Sequence, residues 1–133
     1  MIIGVGTDIV ELKRIEKLLS GKIAEKFIHR ILTEEEGERL LSMSENRKKE
    51  HIAGRYAAKE AIVKALGCGI GEKVGFHDII MMPNADGKPE VRLSQKAFDK
   101  LNLSSEHITI HLSISHSTEQ AVAFAVAEQQ TEI

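Results

Sequence analysis

With 133 residues, one cysteine and a formal net charge of -2, the chain is the size of one domain and can bury about two-thirds of its unfolded surface without a disulfide or zinc staple. Cys68 has no partner for an intrachain disulfide and fits no metal-ligand spacing, which suits a reducing, cytoplasmic compartment. The acidic balance is opposite to that of nucleic-acid-binding domains. The start, Met-Ile-Ile-Gly-Val-Gly, carries no basic leader, and no apolar run approaches the ~20 residues of a membrane span. Neither nucleic acid nor a membrane is an expected partner.

Residues 2 to 10 alternate and are rich in Ile and Val, predicting a first strand that ends near Asp8. A short helix is expected from about Glu11 to Leu19, with Leu12, Ile15, Leu18 and Leu19 at helical spacing, and a second over Ile23 to Leu32. Between Lys13 and Arg30 the cations Lys13, Arg14, Lys17, Lys22, Lys26 and Arg30 are set against only Glu16 and Glu25. This basic island is either a solvated helical face or a dock for an acidic partner. Thr33 with Glu36 three residues later is a capping box that opens a further helix through Leu40 and Leu41.

A long helix is predicted from about Glu45 to Leu66, stopping where Gly67, Gly69 and Gly71 accumulate. At about 100° per residue, Ile52, Tyr56 and Val63 form an apolar stripe, with Glu60 about 60° from its middle and Lys64 about 40° further round. A carboxylate at the border of core and solvent must be paired, hydrogen-bonded or metal-bound. Spacing alone allows an i,i+4 ion pair with Lys64 or a metal ligand. Asp8, Glu60 and Lys64 together suit Mg²⁺ with a phosphorylated substrate, because Mg²⁺ usually takes one or two protein carboxylates and leaves its other positions to water and phosphate oxygens.

After the glycines, Phe76 to Met82 reads as a strand, and Asn84-Ala85-Asp86-Gly87-Lys88-Pro89 as a hairpin turn returning through Val91 and Leu93. Ser94 caps a short helix ending near Leu101. From His107 to Ser115, Ile108, Ile110, Leu112 and Ile114 share a core face, while Thr109, His111, Ser113 and Ser115 share a polar one. In the last strand, Ala121 to Ala127, both faces are apolar, so either a helix or another subunit covers the alanine face, and an oligomer is expected. The sum is an α+β fold: a mainly antiparallel sheet packed on one long helix, with short helices near the N-terminus. His116 lies next to Ser115 and Ser117, but sequence adjacency makes no triad and no Gly-x-Ser-x-Gly elbow occurs. His29, His51, His77, His107 and His111 lack zinc spacing and are expected to be ordinary surface or core histidines.

Five stretches carry a wider resemblance: Gly4 to Leu12 (GVGTDIVEL), Phe27 to Glu36 (FIHRILTEEE), Ala53 to Gly71 (AGRYAAKEAIVKALGCGIG), the Gly87-Lys88-Pro89 turn, and His111 to Ser117 (HLSISHS). In this order, over nearly the whole length, they resemble the 4'-phosphopantetheinyl transferase family in its short, holo-acyl-carrier-protein-synthase form. The resemblance implies transfer of 4'-phosphopantetheine from coenzyme A to a serine of apo-acyl carrier protein, with release of adenosine 3',5'-bisphosphate, a requirement for Mg²⁺ and a place in fatty-acid synthesis. It implies Asp8 and Glu60 as metal ligands and, with Lys64, as the catalytic set. Arg47, Arg55, Lys64, Gly87, Lys88, Pro89 and His116 are the implied coenzyme A contacts. Arg14, Lys26, Phe27 and Arg30 match carrier-docking helices, with Phe27 as an apolar anchor ringed by charge.

The resemblance also implies a homotrimer with sites between subunits. On an ideal helix Arg55 points about 140° away from Glu60, which suits a contact given to a neighbour's site; the alternative is a surface or interface salt bridge. Cys68 beside the glycine loop and a small insertion around Ser20 to Ile23 depart from typical members. The serine proton goes either to Glu60 directly or to a water relayed by a carboxylate. Two rival functions share parts of the pattern: a non-catalytic module that holds coenzyme A or carrier protein, and a metal-dependent phosphohydrolase acting on coenzyme A.

Overall fold

In the computed structural model, residues 1–130 are described. The chain runs β1 (Ile2–Glu11), α1 (Leu12–Leu19), α2 (Ala24–Ile31), α3 (Glu34–Glu38), a 3₁₀ turn (Arg39–Ser42), α4 (Glu45–Ala65), a second 3₁₀ turn (Phe76–Asp78), β2 (Ile79–Pro83), β3 (Pro89–Leu93), α5 (Gln95–Leu101), β4 (Ile108–His116) and β5 (Gln120–Gln129). β1, β5 and β4 form an antiparallel sheet in that order, and β2 pairs with β3 as a separate antiparallel hairpin. The expected α+β architecture holds, with its strands divided between two sheets.

Small side chains set how closely α4 lies on the three-stranded sheet. A Cβ added to Gly4 would fall 1.8 Å from the Ala65 carbonyl oxygen, and one added to Gly6 would fall 2.0 Å from that of Ala61. The glycines of the Gly-Val-Gly run therefore serve backbone-to-backbone contact between strand and helix. Ala121, Ala123, Ala125 and Ala127 of β5 and Ala53, Ala57, Ala61 and Ala65 of α4 are all buried. α4 covers the alanine face of β5, which answers the choice left open by the sequence. The opposite face stays exposed at Val5, Ile9, Val122 and Phe124, brought together by the pairing of Thr7 with Phe124 and Ile9 with Val122.

Three elements differ from expectation, the first being β1, which runs past Asp8 to Glu11. The strand expected from Phe76 begins at Ile79. The Asp78 carboxylate accepts a hydrogen bond from the Gly75 amide (2.8 Å) and another from the Ser94 hydroxyl (2.6 Å), and this local capping holds 76–78 in a turn. The helix expected through Leu40 and Leu41 ends at Glu38 and continues as a 3₁₀ turn, which buries Leu40 and leaves Leu41 exposed. Gly37 within a five-residue helix gives little support for another α-turn. The capping box at Thr33 and Glu36 and the span of α4 follow the sequence reading, and Ser44, which that reading did not single out, caps α4 by accepting from the Arg47 amide. At the hairpin tip, the Asn84 side-chain oxygen accepts from the Asp86 and Lys88 amides, and Gly87 takes the positive φ of 81° that a tight turn reserves for glycine.

Candidate active site

The close seat of β1 on α4 delivers Asp8 to the outer half of the helix. Gly4, Gly6, Asp8 and Val10 share the helix-facing side of β1 by strand alternation, and the Cβ position of Gly6 already touches Lys64 Cβ. Lys64 Nζ donates to the Thr7 carbonyl (3.0 Å) and to Asp8 Oδ1 (3.2 Å). Glu60 is half-buried one turn earlier. Burial pushes its carboxyl above the ordinary carboxylate range, the Asp8 charge pushes it further, and Lys64 opposes both. The lysine therefore hydrogen-bonds across to the strand carboxylate while its charge still reaches Glu60 one turn away.

Among the described residues no three His, Cys, Asp or Glu side chains cluster as a metal site. The Asp8 and Glu60 pair is nevertheless a fitting donor set for Mg²⁺, a hard cation content with two carboxylates when phosphate and water complete its shell. The mutual repulsion that raises Glu60 is what a cation between the two carboxylates would relieve.

An open groove of about 560 Å³ leads from the basic island to Glu60. Arg14, Lys26, Phe27 and Arg30 line it together with Tyr56, Phe76 and Glu60. Its floor is a row of aromatic rings, with Phe27 and Tyr56 centroids 6.3 Å apart and Tyr56 and Phe76 centroids 5.8 Å apart. Arg14 lies over the Tyr56 ring and Arg30 over that of Phe76, each at 5.9 Å, positions in which guanidinium and ring attract. All four residues expected to dock an acidic partner thus share one groove with an expected metal ligand.

The walls of this groove are pinned by Lys59, which sequence reasoning left unassigned, and by Glu36, read there only as a capping residue. Lys59 Nζ donates to Glu36 Oε1 (2.6 Å), the Ile31 carbonyl (2.8 Å) and the Phe76 carbonyl (3.0 Å). The second Glu36 oxygen accepts from the Met81 amide. A signal existed: on the helical wheel Lys59 lies about 40° from the middle of the Ile52, Tyr56 and Val63 stripe, nearer than Glu60.

Arg47, Arg55 and His116 occupy a different flank of α4. Arg47, His51 and Arg55 fall at i, i+4 and i+8, on one row of the helix. His116, at the end of β4, comes against Gly54, where an added Cβ would meet its Nε2 at 2.8 Å. Burial first, and then the charges of Arg55, Arg39, Arg47 and His116, bring the His51 imidazole down to about 4. His51, expected to be ordinary, is therefore inside a cluster of cations, and Arg39 joins it from the 3₁₀ turn before α4. Lys88 and Pro89 line another cavity of about 400 Å³, between the hairpin, Phe98 and β4.

Residues 4–127 match the family pattern of the 4'-phosphopantetheinyl transferase superfamily. A holo-acyl-carrier-protein synthase of Geobacillus sp. (strain WCH70) is 50% identical over 129 residues, covering 97% of this chain and 98% of the relative. Among solved structures, a holo-(acyl-carrier-protein) synthase from Bacillus anthracis str. Ames in complex with CoA (3',5'-ADP) superposes with a TM-score of 0.80 at 47% identity, covering 98% of this chain and 99% of that one. The holo-acyl-carrier-protein synthase of Neisseria meningitidis gives a TM-score of 0.85 at 39% identity, with 97% and 100% coverage. In sequence and in three dimensions alike, the chain belongs to the 4'-phosphopantetheinyl transferase superfamily.

Proposed function

We propose that this chain is a holo-acyl-carrier-protein synthase, moving 4'-phosphopantetheine from coenzyme A to a serine of apo-acyl carrier protein in the cytoplasm, with residues 1–133 as one catalytic domain. The observation that carries the reading is the meeting of Asp8, Glu60 and Lys64 with the end of a groove whose rim is basic and whose floor is aromatic. No helix is long and apolar enough to cross a membrane among the described residues.

Phosphoryl transfer asks a protein mainly for alignment and charge stabilisation. The serine oxygen forms a new bond to the phosphorus next to pantetheine. The bond from that phosphorus to the bridging oxygen breaks, and adenosine 3',5'-bisphosphate leaves with the electron pair. Lys64 places an ammonium where that negative charge grows. Glu60, the carboxylate on the groove's lining, takes the serine proton. Asp8 and Glu60 would hold Mg²⁺, which when bound neutralises charge on the pyrophosphate oxygens. Arg14, Lys26 and Arg30 receive the acidic surface of the carrier around Phe27.

We place Arg47, Arg55, Lys64, His116 and the Gly87-Lys88-Pro89 turn on coenzyme A. Arg55 lies across α4 from Glu60 by about 140°, so it serves a neighbour's site within a homotrimer. The exposed apolar side chains Val5, Ile9, Val122 and Phe124 support that assembly, since such patches mark contact surfaces.

Intact-mass spectrometry of an apo-acyl carrier protein incubated with this protein, coenzyme A and Mg²⁺, beside an EDTA control, tests the reading. A metal-dependent gain of one phosphopantetheine is expected. Coenzyme A cleaved without carrier modification would instead make the protein a phosphohydrolase, and intact coenzyme A beside unmodified carrier would make it a binding module.

A further inference from the structure

α2 carries Lys26, Phe27 and Arg30 to the docking groove, yet it is weakly held at its start. Its N-cap, Ile23, makes no side-chain hydrogen bond, residues 20–23 before it are exposed, and Ile31 is the one residue of its eight that is buried. A helix this short has little stability of its own, so contacts from outside it must fix its place.

Those contacts gather at its C-terminal turn, where an α-helix leaves carbonyls without partners and carries a partial negative charge. His77 Nε2 donates to the His29 carbonyl, and Lys59 Nζ donates to the Ile31 carbonyl (2.8 Å). The two donors are themselves linked, because the same ammonium holds the carbonyl of Phe76, the chain neighbour of His77 (3.0 Å). Beyond His77 the turn is tied down: the Asp78 carboxylate accepts from the Gly75 amide and the Ser94 hydroxyl, and its carbonyl accepts from the Ser94 amide (2.8 Å). Arg30 lies over the Phe76 ring at 5.9 Å. One residue of the 76–78 turn thus lines the groove, and the next holds the helix that supplies its cations.

We propose that His77 is a positioning residue for carrier docking: by holding the His29 carbonyl it fixes the angle at which α2 presents Phe27 and Arg30, without touching the carrier itself. The proposal rests on the reading of acyl carrier protein as substrate. His77 is exposed, so when its donor is lost, water takes over the His29 carbonyl and the fold loses little stability. What is lost is the fixed placement of α2. The zinc-spacing test applied to this histidine in the sequence could not find that role, because its partner is a backbone carbonyl of another element.

Steady-state kinetics of the full-length protein in Mg²⁺, with carrier and coenzyme A varied in turn, tests the role. His77→Phe, which keeps a ring and removes the donor, should raise KM for the carrier about two- to tenfold, the range for loss of one hydrogen bond, and leave KM for coenzyme A and the melting temperature near wild type. His77→Gln places an amide N–H at similar reach and should restore the carrier KM. Because His77 acts through α2, its effect should combine less than additively with that of Arg30→Gln. An unchanged carrier KM in His77→Phe, an equal rise in both KM values, a Gln variant as impaired as the Phe variant, or full additivity with Arg30→Gln would each overturn the positioning role and leave the transferase reading standing. A wild type that modifies no carrier overturns that reading and the positioning role with it.

Discussion

Lys59 and Glu36 meet at 2.6 Å with both side chains closed to solvent. The contact joins the helix that carries Glu60 to the capping box after α2, and the same ammonium holds the last carbonyl of α2 and the carbonyl of Phe76. The two walls of the docking groove are thus tied to the metal-ligand helix through one side chain. Removing one partner of a buried ion pair leaves the other charge without compensation and costs about 3–5 kcal/mol. Lys59→Met should therefore lower the urea midpoint sharply, whereas Glu36→Gln with Lys59→Met should recover part of the loss. A single variant as stable as the wild type would remove the pair from the framework of the fold.

Asp8→Ala and Glu60→Ala should each reduce Mg²⁺-dependent turnover by about 10²-fold or more, and Lys64→Ala by about 10²–10³-fold, the usual effect of losing one charge stabiliser. Circular dichroism should stay native, because Asp8 and Glu60 are not core side chains. Full activity in any of the three would take that residue out of the site.

Much of this arrangement is legible in sequence because it is local. The capping box at Thr33 and the span of α4 follow from hydrogen bonds made within a few residues, and the alternation of β4 follows from strand geometry. The cover of the β5 alanines was not decided by β5 itself, although Ala53, Ala57, Ala61 and Ala65 recur at four-residue spacing on α4 and offered a matching flat face. The burial of Lys59 depends on a carbonyl of α2 and one of the 76–78 turn, contacts that no single segment encodes. Arg39, whose charge acts on His51, stands in a 3₁₀ turn where the sequence reading expected α-helix.

The raised carboxyl of Glu60 gives a pH dependence with a definite sign. In the folded, metal-free protein this group keeps its proton to a higher pH than in the unfolded chain, where it titrates near 4.5. Within that window the native state binds more protons, so stability falls as pH rises through it. Glu60→Gln should raise the melting temperature in EDTA at neutral pH, and the gain should vanish below 4.5, where both states are protonated. A Glu60→Gln variant no more stable than the wild type in EDTA at pH 7 would show that the carboxylate is not destabilised there.

Arg14 and Arg30 lie over the aromatic floor of the groove, so their charge faces whatever docks there. Arg14→Glu and Arg30→Glu should raise KM for the carrier about tenfold or more while leaving KM for coenzyme A unchanged, with the defect shrinking at high salt. Equal effects on both constants would place these arginines in the coenzyme A site.

Glu60 and Arg55 lie on opposite flanks of α4, about 140° apart, and this separation makes the subunit origin of each contact measurable. If one chain's metal ligands work with a neighbour's Arg55, Glu60→Ala and Arg55→Ala damage different halves of every site. Mixed trimers then contain some interfaces built from the intact half of each variant. After random reassembly from equal amounts, about a quarter of the sites should be whole, so two nearly inactive variants should regain about a quarter of the wild-type rate on mixing. If Arg55 instead serves the site of its own chain, each variant chain carries one defective site and mixing restores nothing. Co-refolding followed by the carrier-modification assay reads the two cases directly, and Phe124→Asp, which places a charge in the exposed apolar face, should prevent the recovery by blocking assembly.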